Sequence, residues 1–207
     1  MSLVLPRGRE IDAVVIGTSA GGVEALMLLL PQLPAGLGAP VLIVLHLPRE
    51  RPSLLARIFA PRCAIRVVEA EDKQPVEPGT VYFAPPDYHM LIDAGPQIAL
   101  ASDELVHHSR PSIDALFESA ADAYGARLLG VILTGASADG AEGLDAIRRA
   151  GGLTVVQQPE EAYAALMIES ALARGPVDFV LPLQEIAALF TAVEDGPGAA
   201  APRPART

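Results

Sequence analysis

Three polar residues follow apolar runs closely enough to share one site: Ser19 in "AVVIGTSAGGVEAL", His46 in "PVLIVLHLP" and Asp139 in "VILTGASADG". They are the side chains that acyl transfer needs. A hydroxyl is a weak nucleophile at its own pKa, an imidazole can take its proton, and a carboxylate can orient and stabilise the imidazolium. Residues 17–21, "GTSAG", also match the G-x-S-x-G turn that exposes a nucleophilic serine between a strand and a helix. Each residue has a plainer use. Ser19 suits a helix N-cap, His46 a hydrogen-bonded structural histidine, and Asp139, before Gly140, a cap or turn residue. In an α/β-hydrolase the histidine comes last, whereas this chain has none beyond His108. A triad here would run Ser, His, Asp on another fold.

A glycine turn opening a helix can instead cradle a phosphate. "GTSAGG" is neither G-x-G-x-x-G nor G-x-x-x-x-G-K-[ST], and the single lysine, Lys73, is far from it in sequence. No acidic residue ends the second strand, where His46 stands instead. Nucleotide binding is therefore a poor reading. His89, in "APPDYHM", reads as structural, bonded to Asp87 or to backbone. His107 and His108 read as surface residues, and Arg110 before Pro111 as solvated or lining the cleft.

Residues so far apart in sequence need a scaffold. Apolar runs rich in Val and Ile recur at 12–17, 40–46, 128–135, 153–158 and 178–182, and suit strands covered on both faces. Helical spacing alternates with them. Val23, Leu26, Met27 and Leu30 mark one helix, Ile113, Leu116, Phe117 and Ala120 another; "AEGLDAIRRAGG", "EEAYAALMIESALARG" and "LQEIAALFTAV" complete the set. The alternation predicts an α/β fold with a doubly wound, mostly parallel sheet and helices on both faces. Residues 80–101, with Pro85-Pro86 and a turn at Ala94-Gly95-Pro96, read as a short antiparallel excursion. The polar groups meeting one ligand should then lie beyond the carboxyl ends of the strands, at the topological switch point.

The 207 residues suffice for one sizeable core: an N-terminal extension at 1–11, an α/β domain at 12–193, and a Pro/Ala/Gly tail at 194–207 expected to be disordered. A formal charge of −10 argues against nucleic acid or an anionic membrane as main partner. The lone Cys63 cannot form an intramolecular disulfide and reads as core, no metal-ligand spacing occurs, and no run is long enough for a signal peptide or membrane span. A cytoplasmic protein without membrane insertion is expected.

Beyond those residues, "IGTSAGG", "LHLP", "VEAEDKQPVEPGTVYFAPPDYHM", "HHSRPSIDALFESAA" and "GVILTGASADGAEGL" occur in an order that resembles the CheB family, from about Ala13 to Phe190. The resemblance is to the catalytic domain of the chemotaxis protein-glutamate methylesterases. It implies hydrolysis of glutamate γ-methyl esters on chemoreceptor helices, releasing methanol, with glutamine deamidation as a related activity. Ser19 would be the nucleophile, His46 the base and Asp139 the orienting acid. Backbone amides near His46 and Ala136 would hold the oxyanion, with Ala20, Gly21, Gly22, Ala136 and Arg110 about the oxyanion site or substrate cleft. No cofactor and no metal are implied; the partners are methylated receptor helices.

Three positions depart from that pattern. Ala20 stands where a threonine is frequent, Ala136 where a methionine is common, and "AYAALMIES", with Leu166-Met167-Ile168, where a Gly-Met-Pro turn usually forms the rim. The usual relative also carries an N-terminal receiver domain. Here the first strand begins near residue 12, so the cleft is expected to be constitutively open or controlled by a separate regulatory protein. The competing reading is a non-catalytic adaptor of a chemosensory-like system that holds a protein partner in the cleft.

Overall fold

Alternate residues of each central strand feed two separate cores, which accounts for the unbroken apolar runs. The computed structural model describes residues 9–48, 51–106 and 109–194. In chain order the elements are β1 (Ala13–Thr18), α1 (Gly22–Leu29), β2 (Val41–Leu45), α2 (Leu55–Phe59), β3 (Arg66–Glu69), β4 (Thr80–Phe83), β5 (His89–Asp93) and β6 (Gln97–Ala101). There follow α3 (Ile113–Tyr124), β7 (Leu128–Ile132), α4 (Ala141–Arg149), β8 (Leu153–Gln157), α5 (Leu166–Arg174), β9 (Phe179–Leu181) and α6 (Leu183–Glu194). Seven strands form one sheet in the order β3-β4-β2-β1-β7-β8-β9, and every pairing in it is parallel.

On one face Val14, Ile16, Val41, Ile43, Leu129 and Val131 pack with Leu26 and Leu29 of α1 and Ile186 and Phe190 of α6. On the other, Ala13, Val15, Leu42, Val44 and Ile132 pack with Leu116 and Phe117 of α3 and Leu144 of α4. This is the doubly wound arrangement expected. From β1 the chain winds first toward β2 and β4, then returns to the other side of β1 as β7. The carboxyl ends of β2, β1 and β7 thus surround the switch point.

The excursion is narrower than residues 80–101. Thr80–Phe83 is a core strand, with Val81 opposite Val41 of β2 and Val67 of β3. All four of its residues are buried, and Pro85-Pro86, unable to donate to a ladder, end it. Among the strands of the described residues only the β5–β6 pair is antiparallel, with isolated antiparallel bridges at Pro75–Gln97 and Val106–Ser109. The edge strand β3 escaped the apolar count because its buried and exposed residues are mixed. The helical pattern expected from Glu160 starts at Leu166, after a 3₁₀ turn at Pro159–Glu161. Met167 and Ile168 are in the core, leaving Leu166 as the exposed member of that trio. His107, His108 and the tail beyond Glu194 lie outside the described residues.

Candidate active site

Ser19 is placed by backbone bonds rather than by its side chain. Its amide donates to Thr134 O at 3.0 Å and its carbonyl accepts from Gly22 N at 2.9 Å, closing a tight turn between β1 and α1. Gly21, with φ +80°, is the N-cap of α1; a Cβ there would also come 2.5 Å from Tyr163 Cβ, so only glycine fits. The N-cap role that Ser19 suits therefore falls to Gly21, and the Ser19 hydroxyl makes no hydrogen bond among the described residues. Thr134 binds this turn to the opposite rim. Its hydroxyl donates to Ala20 O at 2.8 Å and accepts from Ala164 N at 2.9 Å.

His46 lies one residue beyond β2, and its amide donates to Thr18 O at 3.2 Å. Thr18 and Leu45 are register partners, so Ser19 and His46 leave neighbouring strands side by side. The imidazole points to the loop after β7, with Nε2 2.8 Å from Asp139 Oδ2. An ionised Asp139 can only accept there, which puts the imidazole proton on Nε2 and leaves Nδ1 with a lone pair.

Asp139 has no exposed surface and accepts four hydrogen bonds. Besides His46, Oδ2 takes Ile113 N at 2.8 Å, while Oδ1 takes Ser112 Oγ at 2.9 Å and Asp114 N at 3.0 Å. Burial alone would push its pKa up; the bonds from His46 and from the Asp114 and Ile113 amides overcome that and hold it below the usual aspartate value. The amides are the open first turn of α3, so the carboxylate sits where the helix is electropositive. Asp139 is thus a helix cap, but of α3 rather than of α4, which follows it. Asp114, in the first turn of α3, returns the arrangement by accepting Gly140 N at 2.9 Å and Gly143 N at 2.7 Å at the start of α4.

The remaining sequence candidates divide by what their donors already do. The amides of Ala20, Gly21 and Ala136 make no hydrogen bond among the described residues, whereas those of Gly22 and His46 are committed to Ser19 O and Thr18 O. Arg110 is held inside the fold: Nε and Nη2 reach Asp87 Oδ1 at 3.1 and 2.7 Å, and Nη1 reaches the carbonyls of Ser102 and Asp103 at 2.8 and 2.7 Å. It shapes the loop after β6. Cys63 is partly buried against the core. Among the described residues no cluster of His, Cys, Asp and Glu could hold a metal ion, and no helix is long and apolar enough to cross a membrane.

The model of the CheB methylesterase family matches residues 14–190. This chain belongs to that family. A relative from Leptospira interrogans is 48% identical over 179 residues, covering 86% of this chain and 93% of its own. A CheB relative from Symbiobacterium thermophilum, named protein-glutamate methylesterase/protein-glutamine glutaminase, is 42% identical over 184 residues; these are 88% of this chain but 51% of that protein. The fold agrees. The crystal structure of the Thermotoga maritima CheB methylesterase catalytic domain superposes with a TM-score of 0.83 at 32% identity, covering 87% of this chain and 97% of that one.

Ser112, Asp114 and Thr134 also build this candidate site, beyond the residues singled out from the sequence. "RPSIDAL" carried a usable signal for the first two, since Ser before a helix with an acid two residues on marks an N-terminus rich in orphan donors. Thr134 gave none. Its neighbours on the turn, Ala20 and Ala164, are 114 and 30 residues away.

Proposed function

We propose that this protein is a protein-glutamate methylesterase that hydrolyses γ-methyl esters on chemoreceptor helices through Ser19, His46 and Asp139, with glutamine deamidation as a second activity of the same site. The observation that carries the reading is the His46–Asp139 bond beside a serine that leaves the adjacent strand with its hydroxyl uncommitted among the described residues, in a chain of the CheB family.

Ser19 Oγ attacks the ester carbonyl as His46 Nδ1 takes its proton. The tetrahedral oxyanion is met by the amides of Ala20 and Ala136, which make no hydrogen bond among the described residues. His46 returns the proton to the departing methoxide, giving methanol and a glutamyl ester of Ser19. Water, deprotonated by the same nitrogen, then attacks that ester and releases the receptor glutamate and the serine hydroxyl. Asp139 stays ionised throughout, holding the imidazole by Nε2–H. For a glutamine side chain the leaving group is ammonia and the remaining steps are the same.

The test is methanol release from membranes carrying methylated chemoreceptors, with Ser19→Ala in parallel. Release by the wild type that vanishes in the folded variant supports the esterase and its nucleophile. No release from folded wild type across several receptors favours the adaptor reading, and binding of the same receptors without turnover would establish it.

A further inference from the structure

We infer that His89, a buried histidine on the β5–β6 hairpin, is a positioning residue: as its neutral Nε2–H tautomer it holds the start of α3 in place to grip Asp139. The inference rests on the proposed triad, in which Asp139 orients His46. His89 is 3% exposed, and both of its ring nitrogens are engaged by backbone. Nδ1 lies 3.1 Å from Ser112 N, and Nε2 lies 3.0 Å from Glu104 O. An amide can only donate and a carbonyl can only accept, so Nδ1 is bare and Nε2 carries the proton.

The bond falls where α3 has no means of its own. Ser112 is the N-cap, and its hydroxyl accepts from Ala115 N at 3.3 Å while donating to Asp139 Oδ1 at 2.9 Å. In a capping box the N-cap amide is satisfied by a Glu or Gln side chain three residues on. Here that position is Ala115, which cannot reach back, and His89 supplies the acceptor from a separate sheet. A fixed Ser112 amide fixes the Ser112 hydroxyl and the next two amides, and these are three of the four donors on Asp139. The hairpin itself is tied down: Ile92 N donates to Ser119 Oγ of α3 at 3.1 Å, and Arg110 ties Asp87, two residues before His89, to the loop that carries Glu104. An element that lies off the main sheet thereby reaches the imidazole of His46 through Ser112 and Asp139.

Two replacements separate positioning from packing. His89→Asn places an amide oxygen near the Nδ1 position and keeps the acceptor for Ser112 N; His89→Gln places a donor near the Nε2 position and loses that acceptor. With methylated receptor membranes as substrate, His89→Gln is expected to lower kcat roughly tenfold at unchanged KM, the loss of about one hydrogen bond's worth of alignment, while His89→Asn stays within about threefold of wild type. Equal losses in both variants, or a change in KM alone, would overturn the inference. Ring ¹⁵N spectra add a second readout. Wild type should show His89 protonated at Nε2 only, and the His46 ring signals should move in His89→Gln but not in His89→Asn. A proton on His89 Nδ1, or a His46 ring unaltered by His89→Gln, would refute the role. Should His89→Gln not fold, the wild-type tautomer and the activity of His89→Asn decide. Wild type releasing no methanol would instead count against the esterase reading, and the His46 ring signals would still test the His89 link.

Discussion

The turn after β1 and the turn after β7 each deliver one polar side chain to the carboxyl edge of the sheet, and they do so by opposite means. Ser19 is held by main-chain bonds alone, partly exposed, its hydroxyl uncommitted among the described residues. Asp139 is fully buried, and both of its oxygens are saturated by four donors. The contrast follows from the chemistry each would do. A nucleophile must be free to move toward a carbonyl carbon and give up a proton, so rigidity belongs in its backbone. A carboxylate that never changes charge works best preorganised, in a setting where its ionised form is already stabilised.

The largest test of the contrast is Ser19→Ala. It should lower kcat by about 10⁶-fold, as loss of a triad nucleophile does, with thermal stability essentially unchanged because the removed hydroxyl makes no hydrogen bond among the described residues. Activity surviving in the folded variant would remove Ser19 from the mechanism.

Asp139→Asn should do both kinds of damage. Turnover is expected to fall by roughly 10⁴-fold, since an amide cannot hold the imidazole in the required tautomer. Stability should fall as well, by about 1–3 kcal/mol, because the amide NH₂ now faces donors from α3 or His46. The pH dependence has a definite sign. The carboxyl of Asp139 is depressed in the folded protein, so its contribution is fully present above the unfolded aspartate value of about 3.9 and is lost as pH falls through the lower folded value. The gap in unfolding free energy between wild type and Asp139→Asn should therefore be constant near neutrality and shrink in acid. A gap that widened in acid would contradict the depressed carboxyl.

Thr134→Val addresses the link between the two turns. It leaves Ala20 O and Ala164 N without the threonine hydroxyl, and about 1–3 kcal/mol of stability should be lost, seen as a lower Tm. Activity should drop with it, because this bond fixes the Ala20–Gly21 peptide in the turn that carries Ser19. The smallest effect is expected at Tyr163, which is 83% exposed at the rim and occupies the space that a side chain on Gly21 would need. Tyr163→Ala should raise KM for methylated receptors by no more than about tenfold, or about 1.4 kcal/mol, and leave hydrolysis of a small soluble ester unchanged. An equal effect on both substrates would place the ring in the chemistry rather than at the receptor-facing rim.

Much of this was legible in the sequence where the physics is local. A strand covered on both faces is apolar along most of its length, so β1, β2, β7 and β8 announced themselves, while the edge strand β9 stood out only because Phe179, Val180 and Leu181 are all apolar; the switch-point rule then placed Ser19, His46 and Asp139 on one edge. β3 was not separated out, because its exposure is mixed, and β4 was read into the antiparallel excursion, because a short strand before two prolines carries no sign of which sheet it joins.

What the chain determined by itself is thus the layer order, the strand ends and the three residue types that reach them, since these depend on periodicity and on turn chemistry within a few residues. Tertiary structure alone decided that Asp139 caps α3 rather than α4, that Gly21 takes the cap beside Ser19, and that His89 completes a helix start across a sheet boundary. The bonds of the Asp139 carboxylate and the His89 ring join residues 15 to 93 positions apart, and a hydrogen bond of that span is selected by packing of whole elements, which no local pattern encodes.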